Sequence, residues 1–354
     1  MNSSRSLPTP RDNSSAAPCH DPLLPQCAGP SVVSVDEASV VSCDGGGGSC
    51  GSEAVDMLFS LSGADAIGVA RAGEVEPWAI DCYGRWIAEG NHAAMTYMEN
   101  YPDVRRDPRL LLPGARSIIM LAYSYYTPDR QPASAPAIAL YARGSDYHNV
   151  LRRRLSSALK ALKMRFGGDY RMCVDSAPVR ERYWAVKAGL GFIGRNSQLI
   201  VPGVGSYCFL AAVVTTLELP ESEPCERQEC DGCGRCEAAC PGQAIIPGRC
   251  AIDARRCVSY LTVEAGRTDD SMRGWPAGVK RGNRLLGCDV CQVVCPHNKA
   301  PRRASLPQFE PREAVMNLTA EGLLAMDQES FDREFAGSPV RRAPLAYLKS
   351  LLDI

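Results

Sequence analysis

The sequence predicts a mixed α/β (α+β) domain followed by a small, ferredoxin-like, cysteine-rich domain. Helix-like and strand-like segments alternate from residue 53 to 220, a pattern typical of helices packed on a sheet. Seven of the 17 cysteines then fall in two short runs between residues 221 and 300. A chain of 354 residues is long enough for one large domain and one small one.

Residues 1–52 are predicted to form a disordered extension, because they are rich in Ser, Pro and Gly and show no apolar periodicity. They do not resemble a signal peptide, and no apolar run in the chain reaches the roughly 18 residues of a membrane span. A cytoplasmic, reducing location without membrane contact is therefore expected. Four cysteines of the extension lack the spacing of a metal site and are interpreted as spare thiols: Cys19, Cys27, Cys43 and Cys50.

Ordered structure is expected from Ser52 onward. The apolar run at 117–123 has strand length and predicts an inner strand covered on both faces. The apolar residues of 149–166 recur at helical spacing and predict an amphipathic helix. The other predicted elements are helices at 54–61, 85–89, 95–98, 318–326 and 342–352, and strands at 64–70, 170–174, 199–201 and 208–215. These elements predict a first domain at 53–220, a cysteine-rich domain at 221–300 and a helical tail at 301–354 that packs on the core.

The first cysteine run has the spacing C-x2-C-x2-C-x3-C-P, which is typical of bacterial ferredoxins that hold iron–sulfur clusters. It comprises Cys230, Cys233, Cys236, Cys240 and Pro241. A shorter run follows and comprises Cys288, Cys291, Cys295 and Pro296. In two-cluster ferredoxins the fourth cysteine of each run ligates the other cluster. Two runs therefore predict two [4Fe–4S] clusters and a role in electron transfer.

Two such clusters need about eight thiolates, and the two runs supply one fewer because Leu285 stands where the second run would begin. The missing ligand must come from Cys225, Cys250 or Cys257. Pairs with C-x2-C spacing also bind zinc. The triple spacing that ends in Pro argues against a zinc site, and the low cysteine density argues against a disulfide scaffold.

A dense group of polar and aromatic residues precedes the predicted helix at 149–166. Asp146 could simply cap that helix, but Arg143, Tyr147 and His148 are more than a cap requires. The Asp-x-His pair also matches part of the motif Asp-x-His-x2-Gly, in which His binds the cobalt of cobalamin. Leu151 stands where that motif needs Gly, so the match is interpreted as accidental.

Asp175 follows a predicted strand, and ligands often bind at the carboxyl ends of strands in α/β domains. It is a candidate general acid, provided that an apolar site raises its pKa enough to hold a proton. The alternative is a turn aspartate that bonds its own backbone. Further along, Gly189, Gly191 and Gly194 fit the pattern GxGxxG, but not in the strand-to-helix context of a dinucleotide site. They are expected to let the backbone approach a large, flat ligand.

The net charge of −1 gives no global indication of a polyanion-binding protein. Local basic groups are expected to be solvated surface, although several on one face could hold a folded RNA. These groups lie at 152–154, 280–281, 302–303 and 341–342.

These motifs, in this order, resemble the epoxyqueuosine reductase family, which catalyses the last step of queuosine synthesis in tRNA. The resemblance covers about residues 53–345. It rests on the segments 108–115, 141–148, 175–182, 189–196 and 287–298 together with the cysteine runs.

The resemblance implies a cobalamin-binding first domain in which no protein ligand reaches cobalt. It implies that Asp175 is the proton donor, and that the cofactor pocket includes Arg143, Tyr147, His148, Asp175, Ser176, Asn196 and Ser197. It assigns one cluster to Cys230, Cys233, Cys236 and Cys295. It assigns the other to Cys240, Cys257, Cys288 and Cys291, so that Cys257 is the missing ligand.

The implied reaction reduces epoxyqueuosine to queuosine in the anticodon loop of tRNA. Electrons come from an external donor such as a flavodoxin or ferredoxin system, and the protein is expected to be a monomer. One alternative is a cobalamin-dependent reductive dehalogenase, although those enzymes usually carry an export signal and use Tyr as the proton donor. A ferredoxin-like electron carrier and an RNA-binding protein with a structural cluster are the others, and either would leave the first domain unexplained.

Overall fold

The computed structural model describes residues 50–268 and 274–352, and the predicted disordered extension lies outside them except for its last three residues. The helices are α1 (Cys50–Ser62), α2 (Pro77–Ala88), α3 (Pro102–Arg106), α4 (Tyr147–Phe166), α5 (Glu181–Lys187), α6 (Arg235–Ala239), α7 (Val258–Val263), α8 (Val290–Val293), α9 (Glu313–Met316), α10 (Ala320–Ala325), α11 (Gln328–Glu334) and α12 (Leu345–Ser350). The strands are β1 (Ala66–Arg71), β2 (Ser117–Ser124), β3 (Ala137–Ile138), β4 (Tyr170–Cys173), β5 (Phe192–Ile193), β6 (Leu199–Ile200), β7 (Cys208–Thr215) and β8 (Arg284–Leu286).

The main sheet has four strands in the order β1-β2-β7-β4. All residues of β2 are buried, as its continuous apolar sequence predicts. Its side chains alternate between two cores: Ile119 packs with residues of α1 and α4, and Ile118 packs with residues of α5. The predicted inner strand is therefore confirmed, and helices cover both of its faces.

The mixed helix and sheet content is confirmed, but every neighbouring pair of strands in the main sheet is antiparallel. β4 therefore begins beside the end of β7, where Tyr170 pairs with Thr215, and ends beside the middle of β7, where Cys173 pairs with Ala212. The rule that places ligands at the carboxyl ends of parallel strands does not apply to this sheet. The position of Asp175 after β4 has to be explained by the helices that meet there.

The helix predicted at 149–166 is α4, which begins two residues earlier than predicted. The side chain of Asp146 accepts a hydrogen bond from the backbone N–H of His148 at 3.0 Å, so Asp146 does cap the helix. Leu151, Leu155 and Leu162 are fully buried against the sheet. This packing fixes the first turn of α4 beside the end of β4.

The cysteine-rich segment and the tail share a core with the segment that precedes α4. β3 pairs in parallel with β8, which lies between the two cysteine runs. Ile138 and Leu285 pack there with buried residues of the tail, including Phe331, Phe335 and Leu348. The tail therefore packs on the core. The predicted boundaries at 220 and 300 stay predictions.

Gly68 in β1 supplies a test of this packing. A Cβ atom added at Gly68 would lie 2.0 Å from the carbonyl oxygen of Ala188, at the end of α5. We expect Gly68→Ala to destabilise the protein by about 1–3 kcal/mol, because the backbone of α5 would have to move. The measurement is the apparent midpoint of thermal unfolding at equal cluster content.

Gly84→Ala is the matched control, because Gly84 lies exposed within α2 and a Cβ atom there meets nothing within 4 Å. The control should unfold at the same or a slightly higher temperature, since Ala favours a helix by about 1 kcal/mol over Gly. Equal midpoints for the two variants would contradict the packing of β1 on α5.

Candidate active site

Asp175 lies in a tight turn that joins β4 to α5. Its φ angle is +56°, in the left-handed region that Asp adopts more readily than most residues. Its backbone N–H donates a hydrogen bond to Oε1 of Glu181 at 2.9 Å. Glu181 is the first residue of α5, so the start of this helix holds the turn in place.

The first turn of α4 brings two side chains to the carboxylate of Asp175. Nε2 of His148 lies 2.9 Å from Oδ2 of Asp175, and the hydroxyl of Tyr147 donates to the same oxygen at 2.9 Å. The other ring nitrogen of His148, Nδ1, lies 2.8 Å from Oδ1 of Asp146. A protonated imidazole donates from both nitrogens, so His148 bridges two carboxylates.

This bridge determines where the proton lies. Burial lowers the pKa of His148, but the hydrogen bonds that His148 donates to Asp146 and Asp175 outweigh burial and raise the pKa to about 9. The hydrogen bond from His148 lowers the pKa of Asp175, although burial acts in the opposite direction. At neutral pH His148 is therefore the charged acid and Asp175 is ionised. The expectation that an apolar site raises the pKa of Asp175 is wrong for this arrangement.

Glu181 brings a second carboxyl group to the turn, and its pKa shifts in the opposite direction from that of Asp175. Burial, followed by the charge of Asp175, raises the pKa of Glu181 to about 8. Its Oε1 is bonded to the backbone of Asp175, not to the carboxylate. Glu181 therefore stabilises the turn, while the side chain of Asp175 stays 51% exposed and open to a ligand.

Aromatic packing fixes the orientation of the pair on α4. The ring of Tyr147 stacks on Phe209 of β7, with centroids 4.1 Å apart and planes 7° apart. The same ring lies 4.0 Å from the centroid of His148. Burial, followed by the charge of Asp175, raises the pKa of Tyr147, so the phenol remains protonated as a hydrogen-bond donor.

Two arginines lie around the turn. Nη2 of Arg152 donates to the hydroxyl of Ser176 at 2.6 Å. Arg342 of the tail forms an ion pair with Glu264 at 2.6 Å, and its charge contributes to the lowered pKa of Asp175. Both arginines come from basic groups that were interpreted as solvated surface. In the structure they border the turn that carries Asp175.

Three residues that were predicted to line a cofactor pocket are bonded to the protein backbone. Arg143 donates from Nε to the carbonyl of Ile138 at 2.9 Å. The amide of Asn196 donates to the carbonyl of Cys291 at 3.3 Å, and the hydroxyl of Ser197 donates to the carbonyl of Cys250 at 2.6 Å. The structure thus places Asn196 and Ser197, in the turn between β5 and β6, against the cysteine-bearing loops. Their contact with a cofactor stays a prediction.

The glycines at 189 and 191 are packed against the backbone of the protein itself, and their approach to a flat ligand stays a prediction. A Cβ atom at Gly189 would lie 2.1 Å from the carbonyl oxygen of Glu223, and one at Gly191 would lie 2.0 Å from that of Ile200. The small residues are required by close packing of the chain on itself. This packing sets the loop of Asn196 against the cysteine-rich segment.

One group of cysteines lines a small cavity next to that loop. The cavity is lined by Cys230, Cys233, Cys236 and Cys295, and by Arg195, Asn196 and His297. Among the residues that the structure describes, no three His, Cys, Asp or Glu side chains are placed to hold a single metal ion. Thiols that surround a cavity suit a multi-iron cluster, because its irons keep the ligands apart.

The remaining predicted ligands lie close to one another in a second group. Burial raises the pKa of Cys291, and the neighbouring thiols of Cys257, Cys288 and Cys240 raise it further. Burial, with smaller contributions from Cys288 and Cys240, likewise raises the pKa of Cys257 to about 11. Buried thiols at such pKa values are protonated, so bound iron would have to displace their protons.

Two groups of four cysteines, in a chain that also carries an exposed carboxylate paired with an imidazolium, indicate an iron–sulfur oxidoreductase. Residues 229–298 match the family model of a 4Fe-4S double cluster binding domain, and residues 105–176 match that of epoxyqueuosine reductase QueG, DUF1730. An epoxyqueuosine reductase of Cyclobacterium marinum is 38% identical over 292 residues, which are 81% of this chain and 91% of that protein. The chain belongs to the epoxyqueuosine reductase family.

Two further similarities agree with this family. The epoxyqueuosine reductase of a Synechococcus species is 35% identical, with 85% of this chain and 91% of that protein covered. The fold is similar to that of an epoxyqueuosine reductase crystallised with an epoxyqueuosine-modified tRNA-Tyr stem loop. That match has a TM-score of 0.73 and 29% identity, and it covers 85% of this chain and 79% of that one.

Sequence reasoning did not single out Glu181 as part of the site. Its signal was available only in combination: an acidic residue in the first turn of a helix, a few residues after the candidate acid.

Among the described residues, none of the helices combines the length and the apolar character that a membrane crossing requires.

The second cysteine group leads to a prediction about iron content. Cys257→Ser should reduce the iron of the anaerobically reconstituted protein from about eight to about four atoms per chain, because one cluster loses a ligand. Cys225→Ser is the control, since Cys225 does not line the cavity of the first group. Iron and sulfide assays measure the result. Full iron in Cys257→Ser with a loss in Cys225→Ser would reverse the assignment.

Proposed function

We propose that this protein reduces epoxyqueuosine to queuosine in the anticodon loop of tRNA. The observation that carries the proposal is the exposed carboxylate of Asp175, held by His148 and Tyr147, in a chain of this family. The relative that was crystallised with a modified tRNA stem loop supports tRNA as the substrate. A base in a loop can leave its stack and enter a protein site.

The cysteines fit two [4Fe–4S] clusters. Cys230, Cys233, Cys236 and Cys295 would hold the cluster in the cavity, and Cys240, Cys257, Cys288 and Cys291 would hold the other. Eight thiols in two groups of four are the donor set that two such clusters require. The hydrogen bond from Asn196 to the carbonyl of Cys291 would link the first group, whose cavity Asn196 lines, to the second.

The residues around Asp175 fit a cobalamin that is bound without a protein ligand to cobalt. Both nitrogens of His148 are engaged by carboxylates, so its ring has no free lone pair for a metal. Tyr147, His148, Asp175 and Ser176 would face the cofactor, with Arg143, Asn196 and Ser197 bracing the surrounding loops. Bound cobalamin would supply the reducing power at the epoxide carbon.

The side chains of the protein bind and orient the substrate and supply protons to its epoxide oxygen. Conversion of an epoxide to an alkene consumes two electrons and two protons, and the oxygen leaves as water. Asp175 is the group that reaches the oxygen, because its carboxylate is the most exposed member of the bridge. Tyr147 holds that carboxylate in one orientation through its hydrogen bond.

The electron donor, the oligomeric state and the location complete the proposal. We infer that a small external redox protein of the flavodoxin or ferredoxin class reduces the clusters. We infer further that the protein acts as a monomer in the cytoplasm, where its tRNA substrate and reduced cysteines would occur together.

The test is anaerobic reconstitution with iron, sulfide and cobalamin, followed by an assay on tRNA that carries epoxyqueuosine with a chemical reductant. Nucleoside analysis of the digested tRNA should detect queuosine only when cobalamin is present. Absence of queuosine from protein that holds full iron and cobalamin would contradict the proposed substrate.

Replacement of the proposed acid should abolish turnover without loss of cofactors. We expect Asp175→Ala to reduce queuosine formation by about 10²–10⁴-fold, the range for general acid catalysis. Iron content and the absorbance of bound cobalamin should match those of the wild type. Asp169→Asn is the control, because Asp169 pairs with Lys163 on the exposed surface. Loss of cobalamin from Asp175→Ala would make Asp175 a structural residue instead.

A further inference from the structure

We propose that His148, held between Asp146 and Asp175, is a relay residue that resupplies Asp175 with protons during each turnover. This inference rests on the proposed function and deepens it by naming the proton source. His148 acts through Asp175 and does not need to touch the substrate. The bridge of two carboxylates and one imidazole is the observation that carries the inference.

Each turnover consumes two protons at the epoxide oxygen. When the first C–O bond of the epoxide breaks, the oxygen takes one proton and becomes a hydroxyl group. When the second C–O bond breaks, that group takes another proton and leaves as water. The two electrons come from the one-electron donor through the clusters. Asp175 is ionised at rest, so a proton has to reach it before each of these two bond cleavages.

Protons need a path to Asp175 while the substrate is bound. The side chain of Asp175 is 51% exposed and would be covered when the modified base binds above it. The side chains of Asp146 and His148 are 27% and 21% exposed, respectively, so they keep a connection to solvent. A proton can therefore reach Asp175 through His148 while the substrate closes the direct path.

Hydrogen bonds hold Asp146, the outer carboxylate of the relay, in place. Asp146 accepts hydrogen bonds from the backbone N–H of His148 and from Nδ2 of Asn149, both at 3.0 Å. The backbone N–H of Asp146 donates to the carbonyl of Gly337 in the tail at 2.7 Å. Asp146 is thus fixed from two sides and can hold one imidazole nitrogen while the other faces Asp175.

Substrate binding changes which charge state of His148 and Asp175 is favoured. At rest the ion pair of His148 and Asp175 is stabilised by contact with water. A bound substrate that removes this water disfavours separated charges, and transfer of the proton to Asp175 yields two neutral groups. Tyr147, which donates to Asp175, and the buried Glu181 face the same pair. The charges of Arg152 and Arg342 lower the pKa of Asp146 and of Asp175, respectively.

The predicted pH dependence has a definite sign. The relay works only while His148 is protonated, so the single-turnover rate should fall as the pH rises through about 9. Asp146→Asn removes one of the two carboxylates that raise this pKa. The fall in rate should then begin about one pH unit lower. Asn caps helices as well as Asp, so this variant changes the charge without loss of the cap.

The experiment combines kinetics with nuclear magnetic resonance of the cofactor-loaded protein. The chain has four histidines, so ¹⁵N-histidine labelling gives a small set of signals, and His148→Gln identifies the one to follow. We expect the signal of His148 to titrate near pH 9 in the wild type and at lower pH in Asp146→Asn. We expect His148→Gln to reduce the single-turnover rate by about 10–100-fold and to remove the alkaline fall.

The outcomes separate this inference from the proposed function. No queuosine from the loaded wild type at any pH would contradict the function itself. A working wild type with an equally fast His148→Gln variant would overturn the relay alone. So would an Asp146→Asn variant whose His148 signal and alkaline fall stay at the pH of the wild type. If His148→Gln fails to load cofactors, Asp146→Asn still decides the question.

Discussion

The contact between His148 and Asp175 is the constraint on which the geometry of the site depends. It requires the first turn of α4 to meet the turn after β4, two elements that are separated by the length of α4 in the chain. Burial of the leucines of α4 against the sheet holds the helix in place. The hydrogen bond from the backbone of Asp175 to Glu181 holds the turn. The charged pair is therefore positioned by apolar packing on one side and by a helix start on the other.

The cysteine-rich segment is fastened to the sheet domain by buried polar contacts. The hydroxyl of Ser206 donates to Oε1 of Gln292 at 2.9 Å, and the amide of Asn298 donates to the same hydroxyl at 2.7 Å. Both partners of Ser206 lie in or beside the second cysteine run. A buried network with satisfied partners specifies one arrangement, because any shift would leave polar groups without hydrogen bonds. The cysteines are thereby kept at a fixed position relative to Asp175.

Much of this architecture could be predicted from local pattern. The buried β2, the amphipathic α4 and the cysteine spacing are each visible within a few residues of sequence. The protonation state of Asp175 could not be predicted in this way, because it depends on His148, which lies 27 residues away in the sequence. The bonding of Asn196 and Ser197 to distant carbonyls was equally hidden. A backbone acceptor leaves no signal in the sequence, so a polar residue that braces a loop is easily assigned to a ligand.

The interleaving of the two cysteine groups has a consequence for how the protein matures. Cys295 joins the group of the first run, and Cys240 joins the group that includes Cys257 and Cys288. The group with Cys257 would be complete only when the ribosome has synthesised Cys291, and the other only when it has synthesised Cys295, so iron insertion would follow translation of both cysteine runs. Each inserted cluster would then close long loops of chain and act as a covalent cross-link between them. Iron supply and folding are in this way coupled steps of biogenesis.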